Sequence, residues 1–210
     1  SLKKNRADRV NLVGDIIISS GVIAYLGVFT LEYRAEAVKN WISLMKSFEI
    51  KSSEVFSLKE VLGNGVQIQN WFIANLPQED FAVDNAIIMS NSDRWPLMID
   101  PQMQGNGWIK SMEAELRSIK PTMDGNAQKR ILKNAIQMGQ PVILEDANET
   151  FDPMIEPLLG KNIEKKGNMW TIKLGDDVIE YSQNFKFYVT TKLSKPHFAP
   201  EICVKVTMLN

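Results

Sequence analysis

An apolar pentad, Trp95–Ile99 (WPLMI), is stopped by Asp100-Pro101 and followed at once by a turn rich in glycine and amides, Gln102–Gly107. From Trp108 onward the residues suit a helix. An uninterrupted apolar run of this length reads as a strand buried on both faces, and such strands belong to parallel sheets covered by helices. Three more runs of this type follow: Val142–Leu144, Lys186–Thr191 (KFYVTT) and Val204–Leu209. Helix-compatible segments alternate with them. The pattern predicts an α/β fold with a parallel sheet sandwiched by helices.

Strand, tight loop and helix also frame a phosphate-binding loop, G-x-x-x-x-G-K-[ST]. Its glycines let backbone N–H groups face the phosphates, its lysine reaches the β- and γ-phosphates, and its hydroxyl binds Mg²⁺. Counted from Asp100, the first glycine is Pro101, which has no N–H. Gln102 and Gly105 lie between. The second glycine is Asn106, the lysine is Gly107 and the hydroxyl residue is Trp108. Lys110-Ser111 would restore the last two positions only in a register that puts Gln104 and Ile109 where glycines belong. The frame is present without its chemistry, so no bound cofactor and no catalytic residue is expected here.

A second strand of such enzymes ends in Asp-Glu, the first orienting Mg²⁺ and the second polarising the attacking water. Here PVILED supplies Glu145 and Asp146 in inverted order. The swap displaces each carboxylate by about 1 Å, enough to cost ~100-fold in rate. Thr190 and Thr191 end the third strand, at the place of a polar sensor of the γ-phosphate. Lys192–Cys203 contains no arginine, and Lys192 and Lys195 are its only cations. Lysine lacks the rigid fork of an arginine finger. Nothing in the sequence pairs His197 with Cys203 as a nucleophilic couple.

Along the chain, Leu12–Lys46 suits helices broken near Gly27 and Thr30. Ile16–Phe29 is expected to be a buried helix, too short to cross a bilayer. Tyr33, Ala37, Trp41 and Leu44 recur at helical spacing, with Tyr33 and Trp41 expected in the core. Ser57 is placed to cap a short helix, with Glu60 completing a capping box. Val66–Ala74 fits strand or helix, and Asp84–Met89 is a short apolar run. The helix after the loop is expected from Trp108 to about Glu115. Leu116–Met123, interrupted by Pro121, is predicted as an edge strand. Asn126–Met138 is an amphipathic helix with Ile131, Leu132, Ala135 and Ile136 on one face, and Phe151–Leu159 is a short helix behind Asp152-Pro153. Asn168–Ser182 is a hairpin inserted into the α/β pattern, turning at Gly175-Asp176-Asp177.

Three function classes are disfavoured. A net charge of −1 over 210 residues argues against a nucleic-acid surface. The single Cys203 forbids an intrachain disulfide and fits a reducing compartment, and the single His197 argues against a histidine metal site. No segment is suited to a membrane. The chain starts without Met and ends directly after an alternating apolar run, so a piece of a longer protein is expected.

Together these segments resemble the dynein heavy chain at the fifth AAA+ module of its motor ring. The matching stretches are LVGDIIISSGVIAYLGVFTLEYR, RWPLMIDPQMQGNGWIKSME, PVILEDANETFDPMIEPLL, IKLGDDVIEYSQNFKFYVTTKLSKPHFAPE and VKVTMLN. RWPLMIDPQ and YVTTKLSKPH are similar to axonemal forms of cilia and flagella. The resemblance implies an AAA+ (P-loop NTPase-like) large subdomain over residues 47–210, with the hairpin as its insertion. It implies an N-terminal helical segment over residues 1–46, whose Ser1–Arg9 continues from the coiled-coil stalk. It implies a module that binds no nucleotide and relays force between neighbouring AAA+ modules and the linker. ATP and Mg²⁺ would act in other modules of an ATP-driven, minus-end-directed microtubule motor. That motor would meet the microtubule through its stalk, associate with intermediate and light chains, and work in the cytoplasm and axonemal cytoskeleton. Met103 and Gly107 replace the glycine and lysine associated with the family loop, and Ser194 with Lys195 replaces a family arginine.

Two alternatives differ in kind. A divergent NTPase would use Lys110 or Lys120 for the missing lysine and hold Mg²⁺ on Glu145 and Asp146. A peptide-binding module would add a strand to the Asn168–Ser182 hairpin edge.

Overall fold

The computed structural model describes residues 10–210 in full, with the first helix traced from Leu2. The stalk expectation for Ser1–Arg9 falls outside the fully described residues. Contacts divide the chain into two compact units. One comprises Ser1–Ile73, Pro77–Ser92 and Asn210; the other comprises Ala74–Leu76 and Asp93–Leu209. No helix of the described residues is long and apolar enough to cross a membrane.

The first unit is helical. Helix α1 (Leu2–Gly21) runs into a π-helical turn at Val22–Leu26, and α2 (Leu31–Ser47) follows the break at Gly27–Thr30. Three short helices complete it: α3 (Leu58–Leu62), α4 (Gly65–Ile73) and α5 (Asp80–Asn91). Ser57 Oγ caps α3 by accepting the Glu60 N–H, as the sequence predicts. The ambiguous Val66–Ala74 is helix α4, started by Asn64, whose side-chain oxygen accepts the N–H groups of Val66 and Gln67.

Two expectations for this unit are corrected. Ile16–Phe29 is not buried all round: Ile18, Ser19, Val22 and Leu26 are buried, whereas Ile16, Ile17, Tyr25 and Phe29 are exposed. The buried stripe of α2 is rotated by one position from the predicted one. Arg34 and Ile42 are buried, Trp41 is half-buried, and Tyr33 and Leu44 are exposed. A buried arginine replaces a hydrophobic anchor, a choice that apolar periodicity does not register.

The second unit is the predicted α/β layer. Strands β1 (Trp95–Ile99), β2 (Arg117–Ile119) and β3 (Val142–Leu144) alternate with helices α6 (Gln104–Met112) and α7 (Gly125–Met138). Helix α8 (Glu156–Leu159) leads into a separate antiparallel sheet, β4 (Ile163–Lys166), β5 (Met169–Leu174) and β6 (Asp177–Glu180). Strand β7 (Phe187–Thr191), helix α9 (Pro200–Cys203) and strand β8 (Val206–Leu209) finish the chain. The main sheet has the order β2-β3-β7-β1-β8, parallel throughout, with β2 at an edge as expected, but β2 is only Arg117–Ile119 and Pro121 lies in the turn beyond it, not within a Leu116–Met123 strand.

Other boundaries move too, among them the start of the last strand, at Val206 rather than Val204. The helix after the loop begins at Gln104, not Trp108, and ends at Met112. The short helix before the insertion is only Glu156–Leu159, because Asp152 Oδ1 accepts the Met154 N–H in a turn instead. The insertion has a third strand, β4, whose exposed sequence IEKK carries no alternating pattern.

Helix α7 shows how the layer is held. Asp124 accepts the Ala127 N–H at its start, and Gly139 closes it in the left-handed region at φ 72°, donating to Ala135 O. Leu132, Ala135 and Ile136 are buried as expected, and Ile131 packs against the core edge. Leu97, Val142, Phe187 and Val189 supply the sheet face of that core, and Ile172, Leu174 and Ile179 carry the insertion's apolar face into it. Trp95 is fixed by donating Nε1–H to Leu158 O (2.9 Å) and by edge-on contacts with Phe185 and Phe187. Burial of one such aromatic is worth about 3–5 kcal/mol when measured by truncation to alanine.

Candidate functional site

The strand order gathers the predicted residues at one end of the sheet. Strand β7 lies between β1 and β3, so Thr190-Thr191 sits between the loop after Ile99 and the acids after Leu144. In open α/β sheets, the carboxyl ends of the strands are where ligands bind.

The loop itself is short. Asp100 N–H donates to Thr191 O (2.8 Å), which continues the strand pairing. Met103 then adopts the left-handed region at φ 60°, donates its N–H to Asp100 O (3.1 Å), and starts α6 by accepting the Gly107 N–H (3.0 Å). Beyond Asp100, only Pro101, Gln102 and Met103 precede the helix. Gln104–Gly107 are already helical, and Pro101, Gln102 and Gly107 are exposed.

The buried Asp100 carboxylate occupies the start of that helix. Its Oδ2 accepts the Asn106 N–H at 2.7 Å, a favourable place for a negative charge. Asn106, also buried, turns its side chain to β7 and donates Nδ2–H to Thr190 Oγ1 (3.2 Å). Gly105 permits the approach. A Cβ there would lie 3.0 Å from Met98 Sδ and 3.4 Å from Asp100 Oδ2. Trp108 is buried on the inner side of α6.

The acidic pair is separated by its backbone. Glu145 is buried and accepts hydrogen bonds from Ser118 Oγ and from Lys110 Nζ (2.9 Å). Burial alone would raise its pKa. The bonds from Ser118 and Lys110, with the charges of Lys110 and Lys120, outweigh burial and hold it below the usual carboxylate range. Asp146 turns away through the left-handed region at φ 55°. It pairs with Lys192 at 2.9 Å and Lys120 at 3.7 Å. The Lys192 bond holds its pKa low against partial burial, helped by the charges of Lys192 and Lys120. Thr191 Oγ1 donates to Ala147 O (2.7 Å) and accepts the Leu193 N–H (3.3 Å).

Several of the residues that could meet a phosphate or a cation are thus engaged by neighbours. Lys110 and Lys120, the two cations able to substitute for a loop lysine, are ion-paired to Glu145 and Asp146. Among the described residues no group of three His, Cys, Asp or Glu side chains converges as a metal site would need. No hydrogen bond joins the His197 and Cys203 side chains: His197 N–H donates to Glu149 Oε1 (2.8 Å), and Cys203 Sγ donates to Phe198 O (3.7 Å).

Of the residues that sequence reasoning placed at one site, Asn106 bonds Thr190, Glu145 meets Lys110 of α6 and Ser118 of β2, and Asp146 faces Lys120 and Lys192 instead. It missed Asp100 as an acceptor and Ser118 as a partner of Glu145. An acidic residue at a strand end, six positions before an amide in a helix start, was the available signal for the first. Ser118 had none, because its position depends on β2 pairing with β3.

Residues 69–210 match the family profile described as the ATP-binding dynein motor region. Dynein axonemal heavy chain 3 of Mus musculus is 47% identical over 200 residues, 95% of this chain and 5% of its own length. Dynein axonemal heavy chain 6 of Homo sapiens is 42% identical over 212 residues, 100% of this chain and 5% of its own. The Dynein-1-beta heavy chain of the flagellar inner arm I1 complex of Chlamydomonas reinhardtii is 40% identical over 201 residues, 95% of this chain and 4% of its own. The chain spans about one twentieth of the length of these relatives.

Proposed function

The chain belongs to the motor region of the axonemal dynein heavy chains, and from that premise we propose that it is a non-catalytic module of the ring, the fifth of its AAA+ modules. Residues 47–210 form the AAA+ large subdomain in this proposal, and residues 1–46 the helical segment leading into it. The module relays force as a packed body between its neighbours and the linker, with nucleotide chemistry done in other modules. The whole heavy chain is then an ATP-driven microtubule motor of cilia or flagella, working with intermediate and light chains.

One observation carries the non-catalytic assignment. The N-terminal amide of α6 that a phosphate would take is held by the chain's own Asp100 carboxylate, at 2.7 Å from Asn106 N. An incoming phosphate would meet a buried negative charge, and only three residues are left to wrap it. Pro101, Gly107 and Trp108 supply none of the donors, lysine or hydroxyl of a working loop.

The test is a thermal melt with millimolar Mg²⁺-ATP and Mg²⁺-ADP. A ligand at 100 times its Kd stabilises by ~2.7 kcal/mol. At ~2–4 °C per kcal/mol for a chain of this size, the midpoint would rise by roughly 5–10 °C. No shift is expected. A saturable shift that Glu145→Gln and Asp146→Asn abolish would instead establish a divergent nucleotide site.

A further inference from the structure

Next to the carboxyl end of β3, the second unit contains a cavity of about 140 Å³. Pockets for whole small molecules typically hold ~300–1,000 Å³, whereas an apolar cavity of about 150 Å³ takes up benzene. The space therefore suits a single side chain. Its walls come from Leu144 and Ala147 around the strand end, Pro121 in the turn after β2, Gln128 of α7, and Phe151 and Asp152 ahead of α8.

Two of these side chains pin the walls and keep an oxygen each in reserve. Gln128 is only 6% exposed. Its Nε2 donates to Lys120 O (2.9 Å) and Met123 O (3.1 Å), which holds the Pro121 turn against α7. Two carbonyl acceptors require the nitrogen at that place, so Oε1 is the atom left for the cavity. Among the described residues Oε1 has no donor, and it is not one of the atoms sealed from the surface. Asp152 Oδ1 accepts the Met154 N–H (2.8 Å), which leaves Oδ2. Asp152 is the one charged residue of the lining. Lys120, beside Pro121, is drawn to Asp146 instead (3.7 Å).

The cavity thus offers an amide oxygen and an unpaired carboxylate beside apolar walls. An anion would be repelled, and a purely apolar group would leave both oxygens unmet. A lysine side chain meets both demands, with a four-carbon stem for Leu144, Ala147 and Phe151 and an ammonium for the two oxygens. Those oxygens belong to different elements, which suits three rotatable donors better than the planar fork of an arginine. Asn148 and Thr150, exposed at the same cavity, can bond the backbone amide of the residue that brings the lysine. We propose that this cavity is a docking site for the lysine side chain of a protein segment outside these residues, its ammonium donating to Gln128 Oε1 and Asp152. The inference rests on neither the ring position nor the nucleotide reading above.

The test is a titration of the isotope-labelled chain with N-acetyl-L-lysine N-methylamide, followed by backbone and glutamine side-chain NMR signals. Saturable shifts are expected at Ala147, Asp152 and the Gln128 side-chain amide. The norleucine analogue, which has the stem without the ammonium, and the Nε-acetylated analogue should bind at least tenfold more weakly. Asp152→Asn keeps an oxygen for the Met154 N–H and removes the charge. It should weaken the lysine compound at least tenfold and leave the norleucine compound unchanged. Should Asp152→Asn fail to fold, Thr150→Trp at the exposed rim should block entry and weaken binding in the same direction. Non-saturating or scattered shifts would overturn the proposal. So would lysine binding that survives in folded Asp152→Asn, or equal binding of the norleucine compound. Binding of n-butylamine as tight as that of the capped lysine would overturn the assignment to a protein segment.

Discussion

The loop end of the sheet and the Arg34 cluster of the helical unit both hold buried charged groups, yet they are finished to different degrees. At the sheet, Asp100 has the Asn106 amide, Glu145 has Ser118 and Lys110, and Asp146 has Lys192 and Lys120. In the helical unit, Arg34 makes three donor contacts and keeps one buried nitrogen without an acceptor. A polar cluster whose members are all matched resists change and offers a ligand little, because binding would have to break what is already made. The region that looks like an enzyme site in sequence is the more fully matched one, and the region without a motif keeps a buried donor unmatched.

The largest expected effect tests how far Arg34 holds the helical unit together. Arg34→Met removes the donor to Gly27, Phe29 and Asn85 together, and should cost about 3–5 kcal/mol in urea unfolding, since hydrogen bonds from a charged donor are worth about 1.5–3 kcal/mol each. A loss under 1 kcal/mol would mean that water satisfies those acceptors equally well.

Asp100→Ala should cost less, about 1–3 kcal/mol, because it strips the acceptor from one buried N–H. The same variant sharpens the comparison. If sulfate or Mg²⁺-ATP then stabilises the variant and not the parent, the carboxylate is what excludes an anion from α6.

The two regions should also titrate in opposite senses. Glu145 and Asp146 are held below their ordinary pKa values, so the folded state binds fewer protons than the unfolded state near pH 4. Their stabilisation is complete above about pH 5 and is lost as the pH falls through their folded pKa values. Asp84 is raised to about 6 by burial, so its folded form binds more protons between about pH 4 and 6, and stability falls as pH rises through that window. Asp84→Asn should therefore raise the melting temperature by a few degrees at pH 7.5 and leave it unchanged at pH 4. An equal gain at both pH values would show that charge is not the cause.

The smallest effect is expected at Lys192→Met. Lys192 is half exposed, and such pairs contribute about 0–1 kcal/mol. The loss should shrink further in 0.5 M salt, as screening predicts.

The sheet was easier to read from sequence than the helices around it. Trp95–Ile99 and Val142–Leu144 are fully apolar because both faces are covered, and their bounds fall where predicted. Strand β4 was invisible because only Ile163 of IEKK packs against the core and the other three residues are exposed. The start of α6 was misplaced because glycine and amide side chains mark turns and helix starts alike, and Met103, not a typical cap, makes the corner at positive φ. The exposure of Tyr33 and Leu44 had no local sign, since a periodic stripe gives an axis but not which neighbours cover it.

By itself the sequence determined the α/β class, the parallel sheet, the acids and threonines at its strand ends, and the absence of a loop lysine. These depend on local periodicity, on turn chemistry and on which side chains are present. Only the tertiary structure decided that β7 separates β1 from β3, that Ser118 and Lys110 satisfy Glu145, that Asp100 fills the helix start, and that Arg34 is buried. Each of those rests on which distant segments pair, and pairing is settled by the closing of the whole core.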